Sequence, residues 1–436
     1  MKFSCYNSII NLNDKFSILY NAMSDKFMVL TISAHQLLKT NTANTLCSYA
    51  PKLYDQMLEI GAIIDEYTNE LEAISHSIRE RCEDDTTFQL HINPTVDCNF
   101  RCWYCYENHL KGTKMDGETL DSIRLFSNHI FEQHLQLRSF NLSFFGGEPL
   151  MYFDHIARPL IEYIDNLCQH REIDFQTHFT SNGYLLNNRI FDFLKGRNNS
   201  FQITLDGAKT YHDKVRFTRI GNGSFETIVR NIKRLAEIEN HVLLRINYTK
   251  ENAESVKDIV KSLHDMPVGD RRFVKIDLQR VWQDLRNMGG VEETTEAIND
   301  AIVLFRNEGF NVSTHRVQNN AMYPCYGDKR NHVLINYNGD VYSCTARDFT
   351  GQNRTGYLNK KGIIEWSIDI DERFAKKFCK PICHRCRIAP ICGGGCIQKT
   401  IELEQNPNCP FGYTEKDIDQ VILDRFEFFF IKPVRE

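Results

Sequence analysis

Cys98, Cys102 and Cys105 stand at the spacing Cx3CxxC, just after the apolar run that ends at Val96. Thiolate is a soft ligand suited to zinc, Cu(I) or iron–sulfur clusters, and a four-iron cluster ordinarily takes four thiolates. Three in one tight loop leave one iron of such a cluster open to an exchangeable ligand. A zinc loop with His109 as fourth ligand would read the same from spacing alone.

Further along lie polar residues that close strand-like runs. Gly146-Gly147-Glu148-Pro149 comes first, where glycines permit close backbone approach to a ligand and Glu148 offers a carboxylate to a cation. Thr180-Ser181-Asn182-Gly183 and Thr204-Leu205-Asp206-Gly207 close two further runs, followed by His212-Asp213, Arg216 and Asn247. Each alone reads as an ordinary turn; together they would ring one pocket. A second cysteine group lies near the carboxyl end. Thirteen residues separate Cys325 from Gly339 and four separate Gly339 from Cys344; Cys383, Cys386, Cys392 and Cys396 follow as CxxCx5Cx3C, and Cys409 comes last. A pair of zinc knuckles is the alternative for this group.

The two cysteine patterns, with Tyr104 before the last cysteine of the triad, resemble radical S-adenosylmethionine (SAM) enzymes that carry a SPASM extension. The resemblance spans roughly residues 88–411. It implies that the open iron at Cys98, Cys102 and Cys105 binds SAM, whose one-electron cleavage gives a 5′-deoxyadenosyl radical. It also implies cofactor contacts from Tyr104, Gly146, Gly147, Glu148, Ser181, Asn182, Thr204, Asp206, Arg216 and Asn247, with Thr204 and Arg216 toward the carboxylate and ribose. Two auxiliary 4Fe-4S clusters would make three in all. Cys325, Cys344 and Cys396 would ligate the first, and Cys383, Cys386, Cys392 and Cys409 the second. Where the sulfatase-maturing version has an eighth cysteine this chain has Asn331, so the first auxiliary cluster lacks an obvious fourth ligand; Cys379 is one candidate. That branch also places an aspartate after Cys344, where Thr345 stands here, leaving Asp348 as the candidate proton acceptor.

The elements that must position these residues follow from periodicity. Strands are expected at Phe88–Thr95, Leu142–Phe145, Phe175–Thr180, Phe201–Leu205, Val242–Tyr248 and Phe273–Leu278, with helical faces between them at Leu120–Ile130, Phe225–Leu235 and Val256–Leu263. Ser224 is the expected N-cap of the second helix. Six such repeats predict an α/β fold with a parallel sheet, and functional groups then gather at the carboxyl ends of the strands. The resemblance selects a partial (β/α)6 barrel. Before it, Phe16–Tyr20 and Phe27–Thr31 predict a hairpin, Ser33 the cap of a short helix, and Pro51–Ile60 a helix stopped by Gly61. The pattern is similar to the winged-helix modules that grip leader peptides; an N-terminal extension packed on the barrel is the alternative. Glu66–Asp85 is charged, with helical potential, and reads as a linker. The expected division is 1–83 for a small α+β module, 84–315 for the barrel and 316–436 for the auxiliary-cluster domain.

Length and composition agree with several domains. The chain has 436 residues, 42% hydrophobic and 25% charged, with net charge −5, which gives no electrostatic footprint for nucleic acid. No apolar run is long enough for a membrane span, and no secretory signal opens the chain. Fifteen cysteines without a signal argue for metal sites in a reducing, cytoplasmic setting. Cys5, Cys47, Cys82 and Cys168 lack motif partners and are expected to be buried thiols. The expected function is a radical SAM maturase that oxidises or cross-links a side chain of a ribosomally made peptide. A precursor peptide and an electron donor such as flavodoxin or ferredoxin would be its partners. A formylglycine-forming sulfatase maturase is the second reading, and a non-catalytic peptide-binding or redox-relay protein the third.

Overall fold

A computed structural model of the chain describes residues 1–281, 291–314, 324–403 and 405–430. The expected boundary at 315/316 lies outside them. The chain divides into two compact units. Of the described residues, one unit holds 1–84, 324–330, 369–403 and 405–430, and the other 85–281, 291–314 and 331–368.

In the first unit, β1 (Lys2–Phe3) pairs with β5 (Ile63–Ile64), and β2 (Asn7–Asn11), β3 (Phe16–Asn21) and β4 (Lys26–Thr31) form an antiparallel sheet in that order. The expected hairpin is therefore two strands of three. Helices Ile32–Thr40, Ala43–Tyr49 and Pro51–Glu59 follow, and Leu19, Leu30, Leu46 and Met57 form the core beneath them. The first helix is capped by Thr31, whose hydroxyl accepts from Ala34 N at 3.2 Å, not by Ser33. Nor is Glu66–Asp85 a linker. It carries helix Glu70–Cys82, whose Ile74, Ile78 and Cys82 are buried at helical spacing.

That face enters a core shared by both ends of the chain. Tyr6, Ile18 and Tyr20 pack with Phe378, Cys383, Ile388, Ile391, Ile418 and Ile422. Arg425, on helix Glu415–Phe430, is only 2% exposed and is paired through Nη2 and Nε with Asp25, which also accepts from the Tyr20 hydroxyl at 2.7 Å. Phe27 meets Phe426 edge-on at 5.5 Å.

The second unit is built on one sheet of eleven strands. β6 (Thr87–Ile92), β7 (Ser139–Phe144), β8 (Asp174–Ser181), β9 (Asn199–Leu205), β10 (His241–Tyr248) and β11 (Val274–Arg280) run parallel, in sequence order and in the expected places. The sheet exceeds six strands. β12 (Asn311–Thr314) extends one edge, while β13 (His332–Ile335), β14 (Asp340–Tyr342), β15 (Arg354–Leu358) and β16 (Ile364–Trp366) continue from β6 at the other. The outer faces bury Phe88, Phe140, Phe144, Phe179 and Phe201 under helices such as Gly117–Gln133 and Phe225–Glu237. The third expected helix is a 3-10 turn, Ala253–Asp258, running into a short helix, Ile259–Leu263. Alternate residues on the other face are polar, including His91, Ser143, His178 and Thr204. No helix among the described residues is long and apolar enough to cross a membrane.

Removing one partner of a buried ion pair strands the other charge, at about 3 kcal/mol. Asp25→Ala should therefore lower the urea midpoint of the full chain, and Asp25→Ala/Arg425→Met should regain most of the loss. An unchanged midpoint for Asp25→Ala would show that the pair does not hold the first unit together.

Candidate active site

The triad loop leaves the end of β6 and is pinned at both ends by one side chain. Asp97 Oδ1 accepts from Cys98 N at 2.8 Å and from Arg219, while Oδ2 accepts from Gly112 N at 2.8 Å. Burial alone would raise this carboxyl; the Gly112 N–H, Arg219 and the Cys98 N–H outweigh it and hold it below the usual range. His109 fixes the loop from inside, donating Nδ1–H to Val96 O at 3.0 Å. On the far side, Phe100 bridges Thr218, and Arg219 N donates to Asn99 O at 3.1 Å.

The Gly146–Pro149 turn after β7 lies against this loop. Gly146 and Gly147 have φ of +80° and +51°, and a Cβ on Gly147 would overlap the Asp97 carbonyl. Only glycine permits that approach. Glu148 N donates to the same carbonyl at 2.9 Å, and Gly147 N donates to Glu107 Oε2 at 2.8 Å. The Glu148 carboxylate is fully buried and already takes three donors: Ser181 hydroxyl at 2.8 Å, Asn182 N at 2.7 Å and Leu150 N at 3.0 Å. Its charge thus ties the end of β7 to the end of β8. Asn182 reaches back to the loop, donating to Asn99 Oδ1 at 2.7 Å and lying 4.0 Å from Cys98 Sγ.

A second buried group stands beside the cysteines. Tyr104 donates its hydroxyl to Asp206, at 2.7 Å to Oδ2, and accepts from Arg216 Nη1 at 2.7 Å and Asn247 Nδ2 at 3.3 Å. Burial raises the Asp206 carboxyl while Arg216 opposes the rise. Arg216 is 8% exposed, and its Nε has no protein partner. Such an orphan donor inside a polar pocket calls for an acceptor. The backbone of Arg216 is held through Ser224, whose hydroxyl donates to Arg216 O at 2.7 Å and contacts His212 Nε2 at 2.9 Å. Ser224 is therefore not a side-chain cap. Asp213 caps helix Phe225–Glu237 instead, accepting from Ser224 N and Phe225 N at 2.8 and 2.9 Å.

Thr204 is half-buried on β9, opposite Arg245 of β10. Asp348 lies in the loop after β14, where Oδ1 is buried without a partner. That loop touches the triad segment: the Tyr106 hydroxyl donates to Thr345 O at 2.7 Å. Glu107 is pushed up to about 7, chiefly by burial and partly by Asp348. The structure thus brings together Cys98, Tyr104, Gly146, Gly147, Glu148, Ser181, Asn182, Asp206, Arg216 and Asn247. Asp97, Asn99, Glu107 and Arg219 join them unforeseen. Only their adjacency to the triad could have marked the first three.

The triad fits a cluster. Burial raises all three thiols, Cys105 up to about 12, and Arg216 pulls against the rise at each. Such thiols shed their protons to a metal that replaces the lost solvation. No group of three or more His, Cys, Asp or Glu among the described residues converges on a single ion. A four-iron cube asks for wider spacing, because each thiolate binds a different corner.

In the first unit, Cys383, Cys386, Cys392 and Cys409 lie close enough to perturb one another, with burial raising Cys392 to about 12 and Cys383 to about 11. Asp328, three residues after Cys325, accepts from Ile397 N beside Cys396 at 3.3 Å and from Lys377 at 2.6 Å. Cys344 belongs to the second unit. Cys82 and Cys168 are buried, but Cys5 and Cys47 are exposed, against expectation.

Comparison with known proteins agrees with this fold. The Radical SAM superfamily model matches residues 92–263. An uncharacterized protein of Synechocystis sp. is 35% identical over 174 residues, 38% of this chain and 42% of that one, so the chain spans less than half of that relative. The cysteine-type anaerobic sulfatase-maturating enzyme of Clostridium novyi is 24% identical over 366 residues, 78% of this chain and 92% of that enzyme. The fold is shared with native anSMEcpe with bound AdoMet and Cp18Cys peptide, at TM-score 0.58 and 17% identity over 79% and 97% of the two chains. It is also shared with Streptococcus suis SuiB bound to precursor peptide SuiA, at 0.51 and 17% over 92% and 96%.

Because Asp97 holds both ends of the triad loop, Asp97→Ala should speed hydrogen exchange at the Cys98 and Gly112 amides by about tenfold or more, each losing a charge-assisted bond. Unaltered exchange would mean that the loop is held by something else.

Proposed function

We propose that the chain is a radical SAM peptide maturase whose reactive centre is the triad loop and the strand ends around it. The observation that carries this is the orphaned Arg216 Nε, buried beside three thiols and the Gly146–Gly147 turn. Cys98, Cys102 and Cys105 would hold a 4Fe-4S cluster with an iron open to SAM, and that pair would supply the one-electron chemistry that removes hydrogen from a peptide residue. The residues do the rest. Arg216 offers Nε to the SAM carboxylate, with Tyr104, Asp206 and Asn247 holding the guanidinium in place. Gly146 and Gly147 let the backbone approach the methionine amino group, while Glu148 and Glu107 brace that turn. Ser181, Asn182 and Thr204 line the ribose side. Asp348 takes the proton that the substrate loses; its Oδ1 is buried without a protein partner. Cys383, Cys386, Cys392 and Cys409 hold one auxiliary cluster; Cys325 and Cys396 are ligands of another.

The first unit supplies the peptide site. β4 is an edge strand, and Val29 on it is 55% exposed. An edge strand accepts a peptide as an added strand, main-chain bonds giving affinity and side-chain pockets giving choice. The match to the Clostridium novyi enzyme over most of its length favours a second reading, formylglycine formation. Thr345 after Cys344 counts against it.

Reconstituted anaerobically, the protein should form 5′-deoxyadenosine from SAM and hold about twelve irons per chain, four for each cluster. Cys98→Ala/Cys102→Ala/Cys105→Ala should form none, and residual product would overturn the assignment of the triad. Val29→Glu should weaken precursor binding about tenfold, leaving SAM cleavage without peptide unchanged. Equal turnover of precursor by Val29→Glu and the parent protein would remove β4 from the account.

A further inference from the structure

We infer that the Tyr6 hydroxyl donates a hydrogen bond to the sulfur of the cluster proposed at Cys383, Cys386, Cys392 and Cys409, and that this bond sets the cluster's potential. The inference rests on that proposed cluster and adds to it a residue from the opposite end of the chain. Tyr6 comes just before β2 and is 1% exposed, and its hydroxyl is buried with no protein partner. The other buried tyrosine of the same core, Tyr20, donates to Asp25 at 2.7 Å. A buried hydroxyl without an acceptor is destabilising. Phenylalanine would fill the same space without that cost, so the hydroxyl answers to an acceptor that the protein does not itself supply.

The core around Tyr6 points to the acceptor. Cys383 is buried in the same cluster of side chains, and Cys386 and Cys392 pack against it. Burial, with Cys5, Glu70 and Cys386 nearby, pushes the phenol above its usual range, so it keeps its proton and is a donor. The backbone that carries the ring is held from two sides. Glu70, itself 8% exposed, accepts from the Ser4 hydroxyl at 2.5 Å and from Cys5 N at 2.8 Å. Ser4 Oγ in turn accepts from Tyr6 N at 3.2 Å, and Tyr6 O accepts from Ala22 N at 3.1 Å. The hydroxyl bonds to none of the thiols, so the sulfur that comes with iron is the acceptor this position lacks. Hydrogen bonds to cluster sulfurs raise a reduction potential, because they favour the state that holds one more electron.

The test is a redox titration of the reconstituted full chain, with dithionite as reductant and EPR as readout. It compares the parent protein with Tyr6→Phe, which keeps the ring and removes the donor. At equal iron content, one cluster signal should become about tenfold harder to reduce, a midpoint about 59 mV more negative for one electron, while the other signals stay in place. Site-specific Tyr6→3-fluorotyrosine, which makes the hydroxyl a stronger donor, should move the same signal the opposite way. A role in packing alone would not reverse sign between the two. An unchanged midpoint in Tyr6→Phe would overturn the inference, the hydroxyl then being met by a buried water. Shifts of one sign in both variants, or an equal shift of every signal, would overturn it too. Should Tyr6→Phe fail to hold its iron, Tyr6→3-fluorotyrosine carries the test: a less negative midpoint supports the donor and an unmoved one overturns it. If the parent protein instead binds zinc at the four cysteines and shows no auxiliary signal, the cluster itself has failed and the role of Tyr6 falls with it.

Discussion

Asp97 is the constraint on which the second unit's site depends. Its carboxylate gathers the two ends of the triad loop and Arg219, and its carbonyl receives Glu148 N at the point where Gly147 passes. Three segments distant in sequence are thereby fixed to one residue at the end of a single strand. Buried charge-assisted bonds hold such a junction firmly because losing one partner strands the others. The absence of a side chain at Gly147 is as necessary as the carboxylate, since any Cβ there would occupy the space of the Asp97 carbonyl.

From that junction the electrostatics follow. Three thiols are held where burial opposes their ionisation, and a guanidinium is held among them where burial opposes its charge. Neither arrangement is favourable alone. Tyr104 and Asp206 offset part of the cost of Arg216, and its buried Nε is left without a protein partner. A bound metal cluster would offset the cost of the thiolates, and a carboxylate-bearing ligand that of the remaining donor. Thiols and a guanidinium are thus held side by side, the pairing that the proposed cluster and SAM carboxylate would use. The first unit has a different economy, a core in which Tyr6, Ile18 and Tyr20 from the amino end pack with Cys383 and Ile388 from the carboxyl end. Ordering of the cysteine-rich segment and folding of the three-stranded sheet are parts of one event there.

Much of the second unit was legible in sequence because its strands alternate strongly and end in polar, glycine-bearing turns. All six central strands fall within a few residues of expectation, and the residues after them meet at one end. What escaped was set by tertiary partners. Ser224 occupies a cap position, yet its hydroxyl serves Arg216 while Asp213 caps from the preceding helix. Glu70–Cys82 looked like a linker because charges surround the spaced Ile74, Ile78 and Cys82. β2 and β12 to β16 are short or carry polar residues at their ends, and their pairing depends on neighbours far along the chain. Asp97, Asn99 and Glu107 lie in or beside the triad loop without a motif of their own, so only folding reveals that Asp97 and Glu107 hold the turn after β7 and Asn99 the end of β8.

The central claim is that the triad carries a cluster with one iron open to SAM beside Arg216. Low-temperature EPR of the reduced, reconstituted full chain tests it most directly, with spectra taken before and after SAM is added. A SAM-dependent change in the signal, absent when Cys98, Cys102 and Cys105 are replaced by alanine, is the result this account predicts. A spectrum that SAM leaves unchanged in the parent protein, with the clusters loaded, would contradict it.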